Sequence, residues 1–284
     1  MPNADARRKT GRFPIYAPIP APRWFRRMAG RAILGVIAAT GILAPSALPM
    51  KSDSCTIQAS FTFEGVDARA ARDFEASFCA AAEEVGRWWG VPYAGAYEID
   101  VNPEYRYSMA LVPAWRGHRG RMKFPAHRIE ERRAAISHEI THVVAPNQNR
   151  FLAEGLAVYA QVVIGTNPAF PNFGRPLHTA ALPYINLVTL SELDAIATPD
   201  RLEIEDVLDM KGAYLIAGSF VEFLIDTYGM EKFRTLYALT PLCPCHHDFS
   251  GSPRRWKEVY GHDLPALERA WRLYITVPVV AAAE

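Results

Sequence analysis

The chain has 284 residues, half of them hydrophobic, with 31 lysines and arginines against 30 aspartates and glutamates. That is enough apolar material to bury a good core in one domain or two small lobes. The charge is unevenly placed: residues 1–31 hold eight basic residues and one acid, which leaves 23 basic and 29 acidic residues in the rest. A mildly acidic body excludes nucleic acid as the expected partner.

The basic leader, residues 1–31, runs into an uncharged stretch of 19 residues from Ala32 to Met50 that ends at Lys51. A basic flank before an apolar run is the pattern of an export signal or a single membrane anchor. Its strongly apolar part stops at Leu43, before Pro45 and small residues, which fits a cleaved signal peptide. The full stretch is also just long enough to span a bilayer. The expected organisation is therefore a cytoplasmic leader at 1–31, a signal peptide or anchor at 32–50, and a catalytic body at 52–284 outside the cytoplasm. Such a body would be periplasmic, secreted or membrane-anchored, and would touch the membrane only through an uncleaved apolar segment.

Four cysteines, Cys55, Cys79, Cys243 and Cys245, fit an oxidising compartment. Three pairings are possible. The run Cys243-Pro244-Cys245-His246-His247 also has the atoms for a second metal site, but its close spacing is unlike that of structural zinc fingers and favours a disulfide-tied loop.

Residues 57–63 alternate apolar and polar and predict a first strand. Asp67 is placed to cap a helix that passes through Phe74, Phe78, Ala82 and Val85 to Trp89 and stops at Gly90. Further strands are expected at 97–101, 109–112 and 121–124. Glu130 and Glu131 then suit the start of a helix that buries Ile136, Ile140, Val143 and Val144 and is halted by Pro146.

That helix carries His138-Glu139-Ile140-Thr141-His142, an HExxH pentad. Residues four apart on a helix lie ~40° apart around its axis, so both imidazoles leave from one face and can grip one Zn²⁺. Glu139 is then placed to act as a base on an activated water. A third ligand is still needed. Glu154 lies twelve residues after His142, in a helix predicted over 149–164 with Asn149 as N-cap and Gly165 as its stop. It shares a face with Phe151, Ala157 and Val158, where a carboxylate is costly unless it is paired or holds a metal. Arg150, one turn earlier, is the alternative partner. Gly155 beside it is expected to let the two metal-bearing helices approach closely.

Beyond Gly165, Pro168, Pro171, Pro176 and Pro183 mark an irregular surface stretch with one short element. Helices are expected again at 211–228, 231–239 and 264–274. Strands followed by two metal-bearing helices and then more helices make an α+β chain.

The pentad, with Glu154 in Glu-Gly-Leu-Ala-Val-Tyr, resembles the gluzincin zinc metallopeptidases, in particular the peptidase MA-like domains related to thermolysin and the zinc aminopeptidases. The segments 214–233 and 259–271 look like the helical part of those domains. The resemblance implies a small mixed sheet whose edge strand borders the cleft, with residues 121–124 as the candidate, and a C-terminal helical subdomain. It implies His138, His142 and Glu154 as ligands of a single Zn²⁺ per chain and Glu139 as base. Tyr214 is implied as the donor to the oxyanion, with His178 as a second candidate. The substrate would be a peptide or protein.

The gap between His142 and Glu154 is shorter than in thermolysin and the aminopeptidases, so the link must be tight; Pro146, Asn147 and Gln148 suit a turn. Residues 95–99, Gly-Ala-Tyr-Glu-Ile, resemble the element with which zinc aminopeptidases hold a free N-terminus, but two of the five positions differ and the entry to a strand explains them better. The motif also allows a non-catalytic protein that keeps a structural zinc, or a zinc hydrolase of non-peptide amides.

Overall fold

The structure is a computed structural model that describes residues 57–111, 120–147, 149–194, 208–239 and 252–276, all within one compact unit. The basic leader, the apolar stretch 32–50 and Cys55, Cys243, Cys245, His246 and His247 lie outside the described residues. Among the described residues no helix is long and apolar enough to cross a membrane. Cys79 is disulfide-bonded.

The first half is a mixed four-stranded sheet in the order β1-β2-β4-β3, built from β1 (Ala59–Phe63), β2 (Tyr97–Asn102), β3 (Met109–Ala110) and β4 (Arg121–Pro125). β2 pairs in parallel with β1 and with β4, and β3 runs antiparallel to β4. The register sets Phe61, Ile99 and Met122 in one row and Phe63, Val101 and Phe124 in the next. Alternation sends these side chains to one face, where they meet Phe74 and Phe78 of helix α1 (Ala68–Trp89) in one apolar cluster. Asp67 caps α1 by accepting from the N–H groups of Arg69 and Ala70, and Gly90 ends it in the left-handed conformation, as the sequence predicts.

Two expectations about the approach to the HExxH pentad are corrected. The strand at 121–124 lies inside the sheet; the edge strands are β1 and β3, and it is β3 that lines the cavity. The acidic residues do not open the helix of the pentad either. Glu130 closes a separate short helix, α2 (Ala126–Glu130), Arg132 takes a positive φ of 55°, and α3 begins only at Ile136 and runs to Val144. All nine residues of α3 are buried. With all its residues buried, α3 is held by packing rather than by charge at its start.

The second half is helical: α4 (Arg150–Val163), α5 (Leu177–Ala181), α6 (Leu190–Asp194), α7 (Met210–Tyr228), α8 (Met230–Ala238), α9 (Arg254–Tyr260) and α10 (Leu264–Thr276). Its core joins α4 and α7 to Trp256 and Trp271, and Phe220 lies within 6 Å of Phe151, Trp256 and Trp271, ring centre to ring centre. The sheet half and the helical half together make the α+β architecture.

Gly155 does permit a close approach, but to α7 rather than to α3. A Cβ there would lie 2.7 Å from the Ala217 carbonyl oxygen and from Val221 Cγ2. Gly218 answers it from α7, 2.5 Å from Val158 Cγ1 by the same construction. The proline-rich stretch is also less superficial than expected. Ala169, Asn172 and Leu177 are buried, and Gln161 donates to the Phe170 carbonyl at 3.0 Å.

Candidate metal centre

The link between α3 and α4 spans residues 145–149 and is held by side chains rather than by regular structure. Asn147 Nδ2 donates to the Tyr237 carbonyl at 3.0 Å, and Asn147 Oδ1 accepts from the Asn149 N–H at 2.8 Å. Tyr237 Oη donates back to the Ala145 carbonyl at 2.8 Å. Asn149 caps α4 through Leu152 N at 2.9 Å and donates to buried Asp194 at 2.9 Å. Arg255 and Trp256 converge on the same Asp194 carboxylate. The short gap is therefore closed by a tight asparagine link, and α4 is fixed in register against α3.

This register brings together the three residues singled out from the sequence. His138 Nε2 and His142 Nε2 are 3.2 Å apart, and Glu154 Oε2 lies 3.2 Å from the first and 3.5 Å from the second. Tetrahedral Zn²⁺ with bonds of about 2.0–2.1 Å places neighbouring donors roughly 3.3–3.4 Å apart, so the triangle has the right size. Glu154 Oε2 is buried and has no hydrogen-bond partner despite its two imidazole neighbours. An orphaned carboxylate oxygen at 1% residue exposure is what a buried cation would satisfy. His138 Nδ1 is likewise buried without a hydrogen-bond partner.

The other Glu154 oxygen is engaged: Arg150 Nη2 stands 2.6 Å from Oε1. Burial by itself would raise the Glu154 carboxyl, but the Arg150 guanidinium, then His142 and His138, hold it well below the usual carboxylate range. Glu139 behaves differently on the neighbouring helix. Burial pushes its carboxyl up to about 7, opposed in part by His138 and by the Ala110 N–H of the edge strand, which hydrogen-bonds it. Two carboxylates in one site are thus driven apart, one held ionised and one poised near neutrality.

His138, Glu139, His142, Glu154 and Tyr214 all line one cavity of ≈ 360 Å³. Tyr214 comes from α7, is 9% exposed, and lies parallel to the His138 ring at 6.1 Å between centroids. Phe170, from the proline-rich stretch, and Met210, at the start of α7, form the apolar wall beside it. Sequence reasoning missed these two, together with the Ala110 N–H. No local pattern marks them, because each reaches the cavity only through the folded chain.

His178 is not brought to this cavity. It sits on α5, with Nδ1 2.9 Å from Ser219 Oγ and 3.3 Å from Glu222 Oε2. His178, Glu222 and Asp226 form the second group of potential metal donors among the described residues, but a less buried one. Glu98, of the segment 95–99, is also remote from the metal-site cavity; it is half exposed on an internal strand and pairs with Arg121 at 2.6 Å.

No protein-family model and no curated protein matches the sequence. Among solved structures, the chain is similar to an M1 zinc metallopeptidase from Deinococcus radiodurans, at 17% identity and a TM-score of 0.44. A mutant of that protein gives 16% and 0.43, and the same mutant bound to a Tyr-Ser-Ala substrate gives 16% and 0.42. Each alignment covers 82% of this chain and 52% of the other, so the chain spans about half the length of the structures it matches. Likeness at this level assigns neither a family nor an activity, and what the chain does has to be read from the chemistry of its own cavity.

Proposed function

We propose that the chain is a zinc-dependent peptidase, exported or membrane-tethered, of the gluzincin type. The observation that carries this reading is the triangle of His138 Nε2, His142 Nε2 and Glu154 Oε2, with sides of 3.2, 3.2 and 3.5 Å and an orphaned carboxylate oxygen, in one cavity with Glu139. These three residues would hold a single Zn²⁺. When bound, the metal supplies Lewis acidity, which activates water and polarises a carbonyl.

The chain's own residues supply the remainder. Glu139, steadied by the Ala110 N–H, accepts the proton of the attacking water and returns it to the leaving amine. Tyr214 faces the same cavity beside His138 and donates its hydroxyl proton in a hydrogen bond to the developing oxyanion. The edge strand β3 borders the same cavity through Met109 and Ala110. Location outside the cytoplasm is supported by the basic-then-apolar order of residues 1–50 and by the disulfide-bonded state of Cys79.

The test is metal analysis of the purified full chain, together with a peptide-library digest by the wild type and by Glu139→Gln. About one zinc per chain in both proteins is expected, with cleavage only by the wild type. Zinc without any cleavage would support the non-catalytic alternative instead. A reporter fused after Lys51 should be active outside the cytoplasm; activity only inside would overturn the location.

A further inference from the structure

The cavity beside the metal centre is lined by four arginines, Arg106, Arg128, Arg133 and Arg150, whereas Glu139 and Glu154 are the only carboxylates among its described lining residues. Arg150 is committed to Glu154. Arg128 and Arg133 share one partner outside the lining, Glu131, at 3.2 and 3.9 Å, so a single carboxylate faces two guanidiniums. Arg106 lies over the ring of Tyr107, 5.1 Å from its centroid. Counting Glu131 with the lining, the wall holds an excess of positive charge before any metal is bound.

This concentration does not reflect a basic protein, because the chain beyond residue 31 has more acidic than basic residues. Two of its four arginines are brought in by one turn. The Arg133 N–H donates to the Arg128 carbonyl at 2.7 Å, and the left-handed Arg132 reverses the chain between α2 and α3. Arg128 and Arg133 thereby come to the same wall, next to the start of the helix that carries Glu139. A guanidinium presents paired donors that match the two oxygens of a carboxylate, and a concave site with low-dielectric walls strengthens the attraction. The same cavity also has apolar lining, Phe170 and Met210.

We infer that the cleft selects peptides with a carboxylate close to the bond held at the metal centre, received by Arg128 and Arg133 with Arg106 at the rim. This rests on the peptidase reading for the bond, but not for the binding. The carboxylate is either that of an aspartate or glutamate side chain or the free C-terminus of the peptide; both present the same group.

The experiment uses the zinc-loaded full chain carrying Glu139→Gln, so that bound peptides persist, and follows fluorescence anisotropy of three labelled hexapeptides on one apolar frame. One contains glutamate and ends in an amide, one contains glutamine and ends in a free carboxylate, and one contains glutamine and ends in an amide. At least one acidic peptide is expected to bind roughly three- to fivefold more tightly than the neutral one, and raised salt should shrink that ratio. The combined Arg128→Gln and Arg133→Gln variant should bring the ratio close to one while leaving zinc content intact. A gain confined to the glutamate peptide assigns a side chain, and a gain confined to the free-carboxylate peptide assigns a C-terminus. Equal affinity for all three, no binding of any, or a preference that survives loss of both arginines overturns the inference. Cleavage of all three by the wild type at equal rates would sink the inference and leave the peptidase reading standing; charge-dependent binding without cleavage would do the reverse.

Discussion

Arg150 and Glu154 stand one turn apart on α4, with Nη2 2.6 Å from Oε1, and this contact decides which carboxylate oxygen is left for a metal. With Oε1 occupied, Oε2 is turned toward His138 and His142 and has no hydrogen-bond partner of its own. The ion pair therefore acts as an orienting group behind a candidate ligand, the role that second-layer residues play around bound metals.

Removing that orienting group should weaken the site without removing a ligand. Arg150→Met is expected to lower zinc affinity by roughly 10- to 100-fold, measured by competition with a chelator of known affinity. Glu154→Ala should lower it further. Unchanged affinity in Glu154→Ala would remove Glu154 from the ligand set.

The two proposed catalytic groups make separable claims. Glu139→Gln keeps the shape of the side chain and removes the base, so zinc should stay while kcat falls by roughly 10² or more. Tyr214→Phe should retain zinc and KM and lower kcat by roughly 10- to 10³-fold. Single-turnover rates with matched metal analysis check both. A wild-type rate in Tyr214→Phe would exclude that hydroxyl alone.

Gly155 is irreplaceable for steric rather than conformational reasons. Its neighbours across the α4–α7 contact include backbone, the Ala217 carbonyl, which cannot swing aside. Gly155→Ala is expected to cost about 1–3 kcal/mol in urea unfolding, the usual range for overpacking, although alanine is the better helix former. Increased stability would show that α7 can shift without loss.

Glu222 predicts a pH dependence of stability. Burial, then the charge of Asp226 one turn on, pushes its carboxyl up from 4.5 to about 7. A raised folded value means that its contribution is complete below about pH 4.5 and is lost as pH rises through 7. The facing groups are His178, whose basicity burial lowers, and Asp226, which also faces Tyr159. Glu222→Gln should flatten the fall in Tm across that window and leave the variant a few degrees more stable at pH 8. Parallel Tm–pH curves for the two proteins would assign the titration elsewhere.

Much of the site is legible in the sequence because its signals are local. His138 and His142 share a face by helical geometry alone, Glu154 is conspicuous as a carboxylate on an apolar face, and Asp67, Gly90 and Asn149 act as the helix caps their chemistry allows. The start of α3 was not legible. Glu130 and Glu131 have the charge of a first helical turn, yet the chain breaks at Arg132 and begins the helix at Ile136, because burial on all sides outweighs an end charge effect of about 1 kcal/mol or less.

Other features were decided only by tertiary structure. The edge strand beside the cavity is β3 and not β4, since pairing order depends on which strands meet across the sheet and not on their order in the chain. Gly155 is small for the sake of α7, a helix 55 residues further on, and Phe170 reaches the cavity from a stretch whose prolines read as surface. The amino-acid sequence by itself determined which atoms could bind a metal and act as a base, because donor chemistry and helical spacing are properties of a few adjacent residues. The folded chain decided that Oε2 rather than Oε1 of Glu154 faces the imidazoles, and that arginines line the surrounding wall, because both depend on contacts between segments that the sequence lists far apart.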